Sequence, residues 1–176
     1  TLPVPEKKDQ MFLLGNEAIA LGAIAAGSRF MASYPITPAS EVMEYMIKKM
    51  DKIDATVEQT EDEIASCMTA MGAAYAGVRA FTCTSGPGLS LMAESLSMAS
   101  MAEIPVVVID VQRSGPSTGM ATKVEQSDIN AACHNAHGDY ANIVISPTSI
   151  EECFYEIQKA FNLAERYQCP VIFMPD

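Results

Sequence analysis

The stretch PVVVIDV, residues 105–111, constrains the fold more than any other. It is a nearly continuous β-branched run without the regular polar–apolar alternation of a half-exposed strand. Such a run suits a strand buried on both faces, as in a parallel sheet covered by helices on each side. The rest of the chain repeats that theme. GNEAIALGAIAAG predicts a helix over about 16–26, closed by Gly27. RFMASY, DATVE, RAFTCT, NIVIS and PVIFM are short strand-like runs. Between them lie helical segments to about Met50, over about 60–77, and over LSLMAESLSMASMA and DINAACHNA. SIEECFYEIQKAFNLAERY is amphipathic, with Ile150, Phe154, Ile157, Phe161 and Leu163 roughly on one face. Strands alternating with helices build βα units. The expected class is α/β, a mainly parallel sheet with helices on both faces.

At 176 residues the chain fits about one domain. The polar TLPVPEKKDQ reads as a tail over 1–10, leaving 11–176 as the folded unit, with a domain boundary expected at Asp176. In open parallel sheets, ligands gather beyond the carboxyl ends of the strands. Three segments directly follow a strand: YPITPAS (34–40), TSGPGLS (84–90) and QRSGPSTGMATK (112–123). They should crowd one rim.

Charge and cysteine usage narrow the classes. The net charge is −11, so the basic footprint of a nucleic-acid binder is missing. Every apolar run is short or interrupted by glycine, which argues against a membrane span. Five scattered cysteines without a CxxC pair offer no zinc or iron–sulfur ligand set and suit a reducing cytoplasm. Two histidines, His134 and His137, fit no common metal spacing. Twelve methionines are most simply core filler.

VEQTEDEIASCMTAMGAAYAG, 57–77, places Glu58, Glu61, Asp62 and Glu63 ahead of a segment that reads as buried on every side. Acids in a first helical turn are favoured by the helix dipole, which is enough for the first three. Glu63 is the last acid before the apolar body and stacks above Cys67 and Ala70. A carboxyl so placed is either structural or a candidate for acid–base work. SGPG at 85–88 is a phosphate cradle or a strand-to-helix turn. Thr37 has a ready role as a helix N-cap ahead of Pro38. Arg113 could clamp a carboxylate or pair with Asp128 or Glu125.

Taken together, GNEAIALGAIAAG, YPITPASE, EDEIA…MGAAYAG, TSGPGLSLMAE, EIPVVVIDVQRSGPSTG, TKVEQSD and HGDY resemble one family. It is the alpha subunit of 2-oxoacid:ferredoxin oxidoreductases, in its pyrimidine-binding, transketolase-like domain, and the wording is most like the 2-oxoglutarate type. The resemblance implies thiamine diphosphate, with this chain holding the aminopyrimidine half. It implies a beta subunit carrying the diphosphate and Mg2+ through a GDG…N motif, which this chain lacks. Iron–sulfur clusters would also sit on partner subunits. By the same resemblance Glu63 bonds N1′ of the aminopyrimidine. Pro35, Ile36, Ser85 and Gly86 lie against the cofactor. Thr37, Arg113 and Thr122 meet the substrate. The family more often has Pro-Thr-Lys where this chain has Ala121-Thr122-Lys123. The implied reaction is oxidative decarboxylation of 2-oxoglutarate with coenzyme A, giving succinyl-CoA and carbon dioxide and reducing ferredoxin. The alternatives are 2-oxoisovalerate or pyruvate as substrate, or a non-catalytic assembly domain. Family alpha subunits run beyond the equivalent of Asp176, so the chain is expected to be a fragment or a short subunit.

Overall fold

The computed structural model describes residues 11–176, so the expected tail at 1–10 lies outside the described residues. Helix α1 (Gly15–Ala25) precedes β1 (Phe30–Ser33), and α2 (Ser40–Ile53) leads into β2 (Thr56–Gln59). Next come α3 (Glu63–Tyr75), β3 (Ala80–Thr84), α4 (Gly86–Leu91), α5 (Ala93–Met101) and β4 (Val107–Asp110). Then follow α6 (Ile129–His134), β5 (Ile143–Ile145), α7 (Ile150–Tyr167) and β6 (Val171–Phe173). The strands form one sheet in the order β2-β1-β3-β4-β6-β5, and every pairing is parallel. This is the expected α/β architecture.

The β-branched run now has its explanation. Val107 and Ile109 enter one core with Ile19 of α1, Met46 of α2, and Ile157 and Phe161 of α7. Val108 points the other way, into a second core with Cys67 and Met71 of α3, Leu89, Leu96 and Ala132. Both faces of β4 are therefore dry, and each fully buried Val or Ile contributes about 1.5–3 kcal/mol. On the first face α1 lies directly against α7. A Cβ on Gly22 would stand 2.5 Å from the Phe154 carbonyl oxygen and would also overlap Ile157. The small residues of α1 thus set how close two helices come.

Several local expectations change. Thr37 is not a cap: α2 starts at Ser40, with Ala39 at the cap position. A cap residue gives its carbonyl to the helix, whereas the Thr37 carbonyl accepts from Arg113. SGPG is not a turn before a helix. Ser85 is the N-cap residue, Gly86 begins α4, and the helix breaks at Met92 before α5. Along α7 the buried stripe is Cys153, Ile157, Ala160, Phe161 and Ala164. Ile150 sits in the first turn and is half exposed. The methionines divide: Met31, Met46, Met71 and Met92 fill the cores, while Met98 and Met101 face outward.

Helix α3 is not buried on every side either. Ile64, Met68 and Tyr75 are exposed, spaced along one stripe. The other side carries Cys67, Ala70, Met71 and Ala74 into the core. Asp62 is the N-cap, accepting from the Ala65 N–H at 2.7 Å. Glu58 and Glu61 remain at the surface.

Candidate active site

Strands β1, β3 and β4 are neighbours and run parallel, so the loops that follow them leave the sheet along one edge. Arg113 ties two of those loops together. Its Nη1 donates to the Thr37 carbonyl at 2.8 Å and its Nη2 to the Thr118 carbonyl at 2.6 Å. The side chain is buried, and Nε has no partner. Neither of the acids expected as partners, Asp128 and Glu125, closes an ion pair with it among the described residues. The second loop folds back on itself through a bridge between Ser114 and Met120 and a hydrogen bond from the Ser114 N–H to the Lys123 carbonyl.

Glu63 opens α3, one residue after the cap. It is buried at 7% exposure, whereas the three acids before it are exposed. Among the described residues its carboxylate has neither an ion-pair nor a hydrogen-bond partner. A partly desolvated carboxylate with free lone pairs is poised to accept a hydrogen bond from a ligand N–H.

The two glycines of SGPG explain how that carboxylate is seated. A Cβ on Gly88 would overlap the Thr84 hydroxyl and lie 2.6 Å from Glu63 Cγ. A Cβ on Gly86 would stand within 2.9 Å of the Asp128 carboxylate. Protein side chains occupy the space over both glycines. The turn therefore packs two carboxyl groups against α4, and the phosphate-cradle alternative gets no support from this geometry.

Between α4, the 113–118 loop and α6 lies a cavity of about 750 Å³. Arg113, Ser114, Gly86, Pro87, Glu125 and Asp128 contribute to its wall. Burial raises the Asp128 pKa, opposed by the Arg113 and Gly86 amides that face it and by the Arg113 guanidinium.

The residues singled out in the sequence separate into two groups. Thr37 and Arg113 meet through the Thr37 carbonyl, and Gly86 joins Arg113 at the cavity. Glu63 of α3 meets Gly88 of α4, two residues beyond Gly86. Pro35 is exposed, and Ile36 is half-buried against the first core. Ser85 is wholly buried with its hydroxyl unpartnered. Thr122 is exposed in the turn where the Lys123 N–H reaches the Met120 carbonyl, and it touches none of the others. His134 and His137 are exposed, and the described residues contain no cluster able to hold a metal. Gly138, in the HGDY segment, occupies an exposed left-handed turn at φ 75°.

Sequence reasoning missed Asp110, took Asp128 only as a possible partner of Arg113, and took Thr84 and Gly88 only as parts of a rim segment. One signal was available. A carboxylate ending a strand that is otherwise entirely apolar, as in VVID, is a buried charge that needs a reason.

Fold and site together define a class: a parallel α/β domain with the buried, unpartnered Glu63 carboxylate at a helix start and a loop-anchored arginine at the strand ends. Residues 21–176 match the family described as pyruvate flavodoxin/ferredoxin oxidoreductase, thiamine diphosphate-binding, and the chain belongs to that family. It is 48% identical over 168 residues to the 2-oxoglutarate synthase subunit KorA of Methanothermobacter thermautotrophicus, covering 96% of this chain and 45% of that protein. It is 41% identical to the alpha subunit of 2-oxoacid:ferredoxin oxidoreductase 1 of Aeropyrum pernix, covering 98% of this chain and 28% of that one. A solved structure of 2-oxoglutarate:ferredoxin oxidoreductase from Magnetococcus marinus, with 2-oxoglutarate, coenzyme A and succinyl-CoA bound, superposes with a TM-score of 0.91 at 49% identity. That match covers 92% of this chain and 28% of that chain. The chain thus spans less than half the length of these relatives.

Proposed function

We propose that this chain is the aminopyrimidine-binding part of a 2-oxoacid:ferredoxin oxidoreductase acting on 2-oxoglutarate. The observation that carries the reading is the Glu63 carboxylate, buried at a helix start and left without a protein partner. It suits an aminopyrimidine: an acceptor for N1′–H on one side, and small side chains on α3 that let a flat ring approach. Thiamine diphosphate, when bound, supplies the nucleophilic carbon that attacks a 2-oxo group. Glu63 holds and returns the proton at N1′, a general acid–base role. Arg113, with Nε unpartnered and two N–H groups anchoring its orientation, offers a fixed cation to a substrate carboxylate. Thr37 stands beside it on the same rim, and Thr122 reaches the site if the 112–123 loop closes. Pro35, Ile36, Ser85 and Gly86 would line the cofactor side.

Coenzyme A, ferredoxin, Mg2+ and the iron–sulfur clusters belong to the reaction of the whole assembly. The last two would be held by a beta subunit and other partners. The names of the relatives support 2-oxoglutarate over pyruvate. No helix among the described residues is long and apolar enough to cross a membrane.

The test uses the chain co-expressed with its partner. Coenzyme-A-dependent viologen reduction is followed with 2-oxoglutarate, 2-oxoisovalerate and pyruvate. We expect 2-oxoglutarate to lead, and Glu63→Gln to lower the rate by about two orders of magnitude or more. Full activity in Glu63→Gln would reduce Glu63 to a helix-start acid. A complex that assembles but turns over no 2-oxoacid would favour the assembly-domain alternative.

A further inference from the structure

Asp110 ends β4 and is completely buried, and neither of its carboxyl oxygens has a hydrogen-bond partner. It pairs in register with Thr84 on β3. Strand alternation puts it on the face of Val108, beneath α3, α4 and α6. Other buried polar atoms are likewise unpartnered: Thr82 Oγ1, on the neighbouring strand opposite Val108, and Ser85 Oγ, Gln112 Oε1 and Asp128 Oδ2. Thr84 is the same residue that crowds Gly88 next to Glu63, and Asp128 is the one that crowds Gly86. Asp110 thus adjoins both places, one through its in-register partner Thr84 and the other through Asp128.

Charge limits what Asp110 can be. The ionisable group whose charge reaches it is Asp128 at the start of α6, while Glu63 of α3 packs with its in-register neighbour Thr84 over Gly88. Beyond Asp128 stand Glu125 and the Arg113 guanidinium. No cation contacts Asp110 among the described residues. Two ionised carboxylates in this dry wall would repel strongly. Burial first, and the Asp128 charge second, push the Asp110 pKa well above its ordinary value.

We propose that Asp110 is a positioning residue that remains a neutral acid, so that Asp128 stays seated against Gly86 and the Arg113 amide and thereby fixes the substrate-facing arginine. This deepens the reading of Arg113 as the carboxylate clamp and rests on that reading. The neutral acid lets one negative charge, on Asp128, occupy the site under Gly86. An ionised Asp110 would drive Asp128 outward, and the 113–118 loop with it.

The experiment uses the complete complex and three variants: Asp110→Asn, which keeps shape and neutrality, Asp110→Ala, which removes the group, and Asp128→Asn. Infrared difference spectra should contain a protonated-carboxyl band that is lost in Asp110→Asn and kept in Asp128→Asn. Amide hydrogen exchange at Gly86 and Arg113 should speed up in Asp110→Ala and stay normal in Asp110→Asn. KM for 2-oxoglutarate should rise about tenfold or more in Asp110→Ala with a smaller change in kcat, and Asp110→Asn should restore it. Absence of the band, or its survival in Asp110→Asn, overturns the neutral-acid assignment. Parallel effects of Ala and Asn on exchange and KM overturn the positioning role. If Asp110→Ala fails to fold, the band and the near-native exchange and KM expected of Asp110→Asn still decide. If the wild-type complex turns over no 2-oxoacid, the functional reading fails instead, while the band and the exchange rates still judge Asp110.

Discussion

At the scale of single residues, the carboxyl groups govern behaviour. Gly88 has no room for a methyl group because Thr84 and Glu63 fill the space. Gly88→Ala should cost about 1–3 kcal/mol through overpacking. It should also displace Glu63, so that turnover falls by more than the lost stability accounts for. Urea midpoints and viologen reduction on the same preparations would check both. Asp110 makes a separate prediction about pH. Its folded-state pKa is raised above its ordinary value of 3.8, so the unfolded chain releases that proton first as pH rises. Asp110 therefore costs nothing well below 3.8. It destabilises the fold increasingly through the interval above 3.8, until the folded pKa is passed. Asparagine cannot ionise. The stability of Asp110→Asn relative to wild type should climb as pH is raised from the acid side. A difference that stays flat with pH would mean that Asp110 ionises normally in the fold.

At the scale of elements, tight contacts rather than long apolar faces set the helix positions. Gly22 touches the Phe154 backbone and Ile157, so Gly22→Ala should push α1 off α7 and lower the unfolding midpoint by an amount equivalent to about 1–3 kcal/mol. An unchanged midpoint would show that α1 can slide at no cost. These contacts also explain what was legible in the sequence. Strand β4 and helix α7 announce themselves through a β-branched run and a 3.6-residue period, signals carried by neighbours in the chain. The rim was legible because parallel strands must deliver their following loops to one edge. The start of α2 was not legible, because it depends on Arg113, seventy-six positions away, taking the Thr37 carbonyl. The glycines of SGPG misled for the same reason. Their purpose is to admit Glu63, Thr84 and Asp128, side chains brought together only by the tertiary fold. Glu63 was identifiable from its place at the edge of an apolar segment, whereas Asp110 and Asp128 acquire meaning only as neighbours.

At the scale of the whole molecule, the domain is half of a surface. Ile64, Met68 and Tyr75 on α3, with Leu91, Met98 and Met101 on α4 and α5, leave a broad apolar area in water. It includes the outer face of the helix that carries Glu63. A buried, unpartnered carboxylate on a helix with an uncovered apolar face suits a site completed by another chain. The isolated domain, given thiamine diphosphate and magnesium, should show no 2-oxoacid turnover. Turnover by the purified single chain would contradict that expectation.

The order of the sheet has a consequence in time. Strand β6 follows β5 in the chain, yet it lies inside the sheet between β4 and β5. Every ladder is parallel, so no two strands can meet through a tight hairpin. During synthesis, β4 has its partner β3 early, but its other side and the whole of β5 wait for Val171–Phe173. Until those residues leave the ribosome, two apolar strand edges are open to water and to other chains. The arrival of β6 completes both remaining ladders together.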